Sequence, residues 1–377
     1  MSYNYNYTSS HSYKAVKKPT LLGRLGTALM LLISLFIAAL FMLTLLTPYV
    51  EPSSGWTSPI LGLVAPATFI ATLLLALYWI IRWQWIVATP LIIVLFLGAS
   101  NISLFAKIPM TKSYGTESYA GTIKVMSYNV RALVNDKKQR STSDVARYVA
   151  SQQADIICLQ EFVTMPDSDD DSFDLQLKGY HKSLSGALAI YSRFPIYRAA
   201  TLMQNSSSNS TSGGSMWADI IIKDDTLRVF NSHLHSTDIK AEDDTFLTTS
   251  QLVRDNERNE KVRSIITRFN RGSVERALQV KKIAKSIYRS PYSVIVCGDF
   301  NDTAMSYTYK RISNGLLDSF QECGDVYPYT YRGFYNTLRI DYILSSKRIT
   351  PQSYSVDTEC HYSDHLPVTT HLKINHI

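Results

Sequence analysis

Between Leu25 and Phe105 the chain carries only two charged residues, Glu51 and Arg82, and this constrains its first third more than any other feature. Three uncharged, apolar runs fill the interval: Leu25 to Thr47, about Pro59 to Ile81, and about Trp83 to Phe105. A helix rises about 1.5 Å per residue, so about 20 such residues cross the hydrocarbon core of a bilayer. One run of this kind could be a buried core helix, but three in succession predict three membrane spans. A cleaved signal peptide is disfavoured, because the first run is long and two more follow it. Trp79, Trp83 and Trp85 crowd around Arg82 and suit an aromatic belt at the interface.

The charges divide the molecule in the same place. Of 38 Lys+Arg and 31 Asp+Glu, residues 1–106 hold only Lys14, Lys17, Lys18, Arg24, Arg82 and Glu51. The remainder, with 33 basic and 30 acidic residues, is close to balance, so the overall +7 gives no argument for a nucleic-acid partner. The cluster from Lys14 to Arg24 precedes the first span and Arg82 lies between the second and third. The positive-inside rule therefore predicts a cytoplasmic N-terminus, and three spans put everything after Phe105 on the other side of a plasma (inner) membrane. Lys107, Lys112 and Lys124 weigh against this orientation. The expected organisation is a basic tail over 1–24, a three-helix transmembrane region over 25–106, a linker over 107–120 and a catalytic domain over 121–377.

That last region alternates β-rich and helical stretches. Strands are predicted at Thr122–Asn129, Ala154–Glu161, Ala187–Ser192, Trp217–Lys223, Leu227–His233, Ser293–Asp299, Ile340–Ser345 and Val368–Ile374, with helices at Ser141–Gln152 and Val274–Arg289. The charged stretch from about Thr237 to Gly272 reads as a solvated helical insertion. The low-complexity run Gln204–Ser215 reads as a mobile loop. The acidic run Asp167–Asp174 lacks the spacing of a calcium loop and reads as a solvated face. Cys158 and Cys297 lie in apolar runs and should be inert core thiols. Cys323 and Cys360 stand in polar contexts and could pair in an oxidising compartment.

The functional signal is where polar residues fall on the strands. By period-two alternation Val125, Ser127 and Asn129 share a face, as do Ile157, Leu159 and Glu161, then Val229, Asn231 and His233, then Ile295, Cys297 and Asp299, with Asn301 two residues on. Each set runs from apolar residues to a polar one at the C-terminal end. A carboxylate or amide at a strand end is usually a turn-former or a cap, and a lone histidine is usually structural. Four converging strand ends, together with Asp341, Asp364 and His365, instead supply hard oxygen ligands, imidazoles and an amide donor for metal-assisted phosphoryl chemistry.

The segments MSYNV, DIICLQE, IYSRFPI, FNSHL, CGDFND, RIDYIL and SDHLPV occur in this order over about residues 121–377. In them the chain resembles the endonuclease/exonuclease/phosphatase superfamily, which includes deoxyribonuclease I, exonuclease III, neutral sphingomyelinases and inositol polyphosphate 5-phosphatases. The resemblance implies a four-layered α/β sandwich with the active site at one rim, and a hydrolase using Mg²⁺ or Mn²⁺. It implies Glu161 as principal metal ligand, supported by Asn129. Asp299 would orient or deprotonate the attacking water, and Asn301 would donate to the phosphoryl oxygens. His365 would be the acid/base or phosphate-stabilising imidazole, with Asp341 fixing its tautomer and raising its pKa. Asp364 would be a metal ligand or a carboxylate behind one. His233 would contact the phosphate, with His235 as a rival.

Arg276, Gln279 and Arg339 are candidates for phosphate or scaffold contacts. No GxxxxGK loop is present, so no nucleotide cofactor is expected. The residues leave the substrate open among nucleic acid, phospholipid and inositol or sugar phosphate, since these chemistries share one catalytic set. The alternative from another class is a catalytically inactive, membrane-tethered binding or sensor protein on the same fold.

Overall fold

Strands with one face buried against a second sheet and the other under helices need apolar residues on both faces, which is how the runs after Gly121 read. A computed structural model of the chain pairs them into two sheets; it describes residues 20–55, 59–107, 119–134, 139–163, 170–203, 214–237, 243, 246 and 255–375. One sheet contains β1 (Thr122–Asn129), β2 (Ile156–Gln160), β3 (His181–Ser185), β4 (Leu188–Ser192), β11 (Ile349–Pro351), β12 (Ser355–Val356) and β13 (Val368–Ile374). Its order is β11-β13-β1-β2-β4-β3, with β12 also on β13. The second runs β5-β6-β7-β8-β10-β9, from β5 (Ile196–Met203), β6 (Gly214–Ile222), β7 (Asp225–His233), β8 (Ser293–Asp299), β9 (Leu316–Asp318) and β10 (Asp341–Ser346). Each sheet has one parallel pair, β1 with β2 and β7 with β8. The C-terminal ends of these four strands meet at one rim.

Between the sheets, Val125, Ile156, Cys158 and Ile190 pack against Ala218, Val229, Ile295, Cys297 and Ile343. On the outer face of the first sheet, Tyr128, Ile157 and Leu159 lie under Val145 and Val149 of α4 (Thr142–Ser151). On the outer face of the second, Phe230, Val294 and Tyr342 lie under Val280 and Ile283 of α6 (Asp255–Tyr288). A shorter α5 (Asp170–Gln176) covers the first sheet, and α7 (Tyr307–Ile312) and α8 (Ser319–Cys323) flank the second. The result is the expected four-layered sandwich of helix, sheet, sheet and helix.

Several expectations change. The end of the charged stretch and the predicted helix after it are one continuous helix, α6, because Ile265 and Phe269 extend the buried line of Ala277, Val280 and Ile283. The expected pairing of Cys323 with Cys360 does not occur: all four cysteines are free thiols. Cys360 is buried in the Tyr128 cluster, its Sγ 3.3 Å from the Tyr128 hydroxyl, rather than in a polar loop, while Cys323 ends α8 beside the other sheet. Residues 1–19 of the basic tail, 108–118 of the linker, 167–169 of the acidic run, 204–213 of the low-complexity run and most of 238–254 lie outside the described residues.

The first third forms α1 (Leu21–Leu46), α2 (Leu61–Ile81) and α3 (Trp85–Ile102), each long and apolar enough to cross a membrane. Trp83 and Trp85 are exposed at the turn around Arg82, but Trp79 is buried between helices and donates to Ser34 Oγ at 2.8 Å, so it does not belong to a belt. The end of α1, the start of α2 and the end of α3 meet the sandwich. Glu51, between α1 and α2, pairs with Lys281 of α6 at 2.6 Å. Beyond α3, Leu104 accepts from Arg339 Nη2 at 3.2 Å, and Lys107 makes a two-hydrogen-bond bridge with Val326. Gly62 is required in the first turn of α2, since a Cβ there would lie 2.8 Å from the Met305 carbonyl oxygen.

Candidate active site

Strand register aligns the site on the second sheet. His233 at the end of β7 pairs with Asp299 at the end of β8, and Asp299 pairs with Asp341 at the start of the antiparallel β10. Three ionisable side chains thus stand side by side across adjacent strands, where spacing is about 4.8 Å. Gly298 permits this approach: a Cβ there would lie 1.9 Å from the Ser232 carbonyl oxygen.

Asp299 is the centre of the arrangement. Its Oδ2 accepts from Asn129 Nδ2 at 3.0 Å and from Asn301 Nδ2 at 3.3 Å, and lies 3.5 Å from His233 Nε2 and 3.6 Å from His365 Nε2. Its Oδ1 accepts from the Asn301 backbone N–H at 2.8 Å. The carboxylate therefore has a fixed orientation. The second Asn301 amide hydrogen goes to the Leu234 carbonyl at 3.1 Å, which ties the turn after β8 to the end of β7.

Glu161 reaches the rim by a route that alternation did not foresee. Ile157 and Leu159 face the helix layer, while Ile156, Cys158 and Gln160 face the other sheet with Val125. Simple continuation would have sent Glu161 outward with Leu159. Instead β2 ends at Gln160 and Glu161 adopts a left-handed backbone with φ of 51°, a conformation uncommon outside glycine, and this swings its carboxylate over the rim. Glu161 Oε1 then accepts from Asn129 Nδ2 at 3.1 Å and lies 3.7 Å from His233 Nε2. One amide thus bridges the two carboxylates, Glu161 and Asp299.

His365 comes from the turn before β13. Its Nδ1 faces Asp341 Oδ2 at 3.0 Å, which leaves Nε2 toward the cavity and Asp299. Burial alone would lower the imidazole pKa, but the carboxylates of Asp341 and Asp299 outweigh it and hold His365 well above the ordinary histidine value. Burial pushes Asp341 up to about 6, with the histidine opposing. Asp341 is oriented by Thr330, whose Oγ1 accepts from the backbone N–H groups of Ile340 and Asp341 at 3.0 Å each. Asp364 lies on the cavity wall, 3.6 Å from Arg131 Nε.

Glu161, His233, Asp299, Asn301, Asp364 and His365 line a cavity of about 180 Å³. Its walls also include Ser236, Thr237, Tyr331 and Phe334, and Leu63 from α2, none of which the sequence singled out. Arg131 is the one addition the motif itself could have offered, two residues after Asn129. His235 turns away, with Nδ1 2.7 Å from the Ser236 carbonyl oxygen, so His233 is the histidine at the rim. Of the two alternatives for the arginines, the placement is that of scaffold contacts. Fully buried Arg276 pairs with Asp302 at 3.2 Å and holds the His235 carbonyl at 2.9 Å, while Gln279 Oε1 accepts from the His235 N–H. Arg339 pairs with Asp318 at 2.9 Å.

The donor set suits a hard divalent cation, which prefers carboxylate and carbonyl oxygens. Glu161 faces the cavity with 23% of its side chain exposed. Asp299, Asp341 and His365 have ligand atoms within 4.8 Å of one another, although Asp341 and His365 already engage each other. Glu161, Asp299 and Asp364 also line the cavity. Asn129 turns its Nδ2 to Glu161 and Asp299 and its Oδ1 to the Arg131 backbone N–H at 3.0 Å, so in this arrangement it positions the two carboxylates and offers no oxygen to an ion.

Residues 126–365 match the model of the Endonuclease/Exonuclease/phosphatase family, and residues 27–105 match a domain of unknown function. No curated protein is similar enough to count as a match. Among solved structures, an endonuclease/exonuclease/phosphatase from Beutenbergia cavernae shares 12% identity at a TM-score of 0.48, over 67% of this chain and 72% of that one. Humanized D. rerio TDP2 shares 18% at 0.47, over 67% and 100%, and a mannosyl-6-phosphatase from Bacteroides thetaiotaomicron shares 21% at 0.46, over 66% and 99%. On the family match, which covers more than half its length, the chain belongs to the Endonuclease/Exonuclease/phosphatase family of metal-dependent hydrolases acting on phosphate esters.

Proposed function

We propose that the protein is a membrane-anchored phosphoesterase that uses Mg²⁺ or Mn²⁺, held by Glu161 and Asp364 with Asn129 orienting the Glu161 carboxylate, to hydrolyse a phosphodiester or phosphomonoester. The observation that carries this reading is the position of Asp299, whose one carboxylate is within reach of Asn129, Asn301, His233 and His365 at the cavity wall. The ion, when bound, polarises the phosphoryl oxygen and stabilises charge on the leaving oxygen. Asp299 takes a proton as the water oxygen bonds to phosphorus from the side opposite the leaving group. The bond from phosphorus to the leaving oxygen breaks, and the His365 imidazolium, kept protonated by Asp341, gives that oxygen its proton. Transfer from Asp299 to His365 Nε2 across the 3.6 Å between them then restores both groups. His233 faces the same space and can hold the phosphoryl oxygens; Asn301 joins it by turning the Nδ2 hydrogen that otherwise goes to Asp299 Oδ2 toward the substrate.

The test is hydrolysis of bis(4-nitrophenyl) phosphate and of 4-nitrophenyl phosphate by the full chain in detergent, with Mg²⁺ and with chelator. Metal-dependent release of nitrophenolate that Asp299→Asn abolishes is expected. A metal-independent rate, or one that Asp299→Asn leaves intact, would contradict the assignment.

We further propose the organisation 1–24 cytoplasmic tail, 25–106 membrane region, 107–120 linker and 121–377 catalytic domain, with the catalytic domain outside the cytoplasm. The start of α1, near Arg24, and the Arg82 turn lie at the end of the helices away from the sandwich, which supports this orientation by the positive-inside rule. A reporter active only in the cytoplasm, fused after Ile377, should be silent.

A further inference from the structure

The catalytic cavity adjoins a second, apolar pocket of about 350 Å³ where α2 meets the sandwich. Leu63, Thr303 and Leu338 line both. From this neck the apolar pocket follows α2 from Gly62 to Ile70, about 12 Å along a helix, with Pro66 and Ala67 on one side and Leu104, Phe105 and Pro328 on the other. Ile70 is 56% exposed and Ala67 is exposed too, so the pocket opens sideways along a helix whose surroundings, in a bilayer, are lipid chains. At the neck, Thr303 is 9% exposed and its Oγ1 has no hydrogen-bond partner among the described residues. A buried hydroxyl left unpaired is unfavourable, and a polar ligand atom at that point would offset the loss.

We propose that the substrate is a membrane amphiphile, a phosphate ester of a long hydrocarbon chain, with its phosphate at Asp299 and His365 and its chain in the pocket along α2. The inference rests on the phosphoesterase reading and on α2 lying in a bilayer, and it names the substrate class of that site. The molecule has a polar end and an apolar end, and the two joined cavities match it in that order. Thr303 lies where the head meets the chain, facing the linking oxygen atoms. Entry is lateral, past Ala67 and Ile70, so the chain never crosses water. A nucleic acid or a sugar phosphate would leave the apolar pocket unused.

The test uses the full chain in phosphatidylcholine nanodiscs with a series of alkyl 4-nitrophenyl phosphates from ethyl to hexadecyl. Ala67→Trp fills the pocket from the lipid side without touching the catalytic cavity. It should lower kcat/KM for the hexadecyl ester by at least about tenfold, the scale of a few methylenes denied burial, and leave the ethyl ester within about twofold. Comparing one variant with the parent on the same discs cancels the partitioning of the long ester into lipid. Independently of turnover and of any variant's folding, hexadecyl phosphate bearing a mid-chain diazirine should label the parent protein within residues 61–70 or 327–339. Equal effects of Ala67→Trp on both esters, with labelling elsewhere, would overturn the lipid assignment while hydrolysis of the ethyl ester kept the phosphoesterase reading. Labelling in the pocket without hydrolysis of any ester would overturn the phosphoesterase reading and leave the chain-binding pocket standing.

Discussion

Gln160 of the first sheet donates from Nε2 to Asn231 Oδ1 of the second at 2.7 Å, a buried hydrogen bond across the interior of the sandwich. Asn231 also spends both amide hydrogens on the first sheet, on the Leu159 and Ala189 carbonyls at 2.9 Å each. One residue beyond Gln160 stands Glu161, and two beyond Asn231 stands His233, so this clip fixes the distance between the two halves of the site.

Replacing Asn231 should therefore act on stability and on catalysis together. Asn231→Leu takes its amide donors from two strand carbonyls in the interior and breaks the bond to Gln160, whose amide keeps Ser127 Oγ and the Cys158 carbonyl, and should cost about 2 kcal/mol or more. Denaturant unfolding of the detergent-solubilised protein checks this. A loss below about 1 kcal/mol would mean that the sheets are held in register by apolar packing alone.

Asp299→Asn and His365→Ala should keep the parental melting temperature and lower turnover by about 100-fold or more, the scale of a lost acid/base group. Asp341→Asn should resemble His365→Ala, and the double variant should be little worse than either, because residues acting as a unit are not additive. The measurement is turnover at saturating Mg²⁺ beside a thermal melt. Parental rates in folded Asp299→Asn and His365→Ala proteins would show that the chemistry lies elsewhere.

Glu161→Gln keeps an oxygen donor and the reach of the side chain but removes its charge. It should raise the Mg²⁺ concentration giving half-maximal activity by about tenfold or more, since a hard cation loses a charged ligand. Titrating metal against rate separates this from Asp299→Asn, for which the maximal rate is expected to fall instead.

Far from the site, His371 on β13 stacks on Tyr119 with ring centroids 3.9 Å apart and contacts Ser353 Oγ through Nδ1 at 2.8 Å. Burial, helped by Lys124 and opposed by Asp155, holds its pKa below the usual value. An unfolded histidine takes its proton near pH 6.5, whereas the folded one resists protonation, so stability is full above about 6.5 and declines as pH falls toward the lower folded value. His371→Gln should flatten this part of the acid-side decline. Melting temperatures of parent and variant at pH 7.5 and 5.5 decide, and parallel declines would remove His371 from the account.

Much of this was legible in the sequence where residues obey a strand's period. β1, β7 and β8 carry Asn129, His233 and Asp299 to the rim on the predicted faces, and the strands Thr122–Asn129, Ser293–Asp299 and Val368–Ile374 have the expected bounds. Glu161 belongs to the site through a left-handed turn, which alternation cannot encode. The edge strands β3 and β5 have no fully buried residue on either face, so no apolar pattern announces them. Leu63 and Leu338 are 275 positions apart and meet only through docking, which no local pattern records. Arg339 illustrates the same limit: beside Asp341 it looked suited to phosphate, yet it lies between the rings of Phe320 and Tyr342 and grips the end of α3.

That grip changes what the stretch between α3 and β1 has to do. Lys107 is bridged to Val326, Arg339 holds Leu104, and Glu51 holds Lys281, all before the chain reaches residue 108 or from the loop between α1 and α2. A protease cutting anywhere from 108 to 118 would sever the only covalent connection between helices and sandwich, yet every one of these contacts would survive the cut. Nicked protein should sediment with the vesicles as two fragments, shed only when salt and detergent together dissolve the seam.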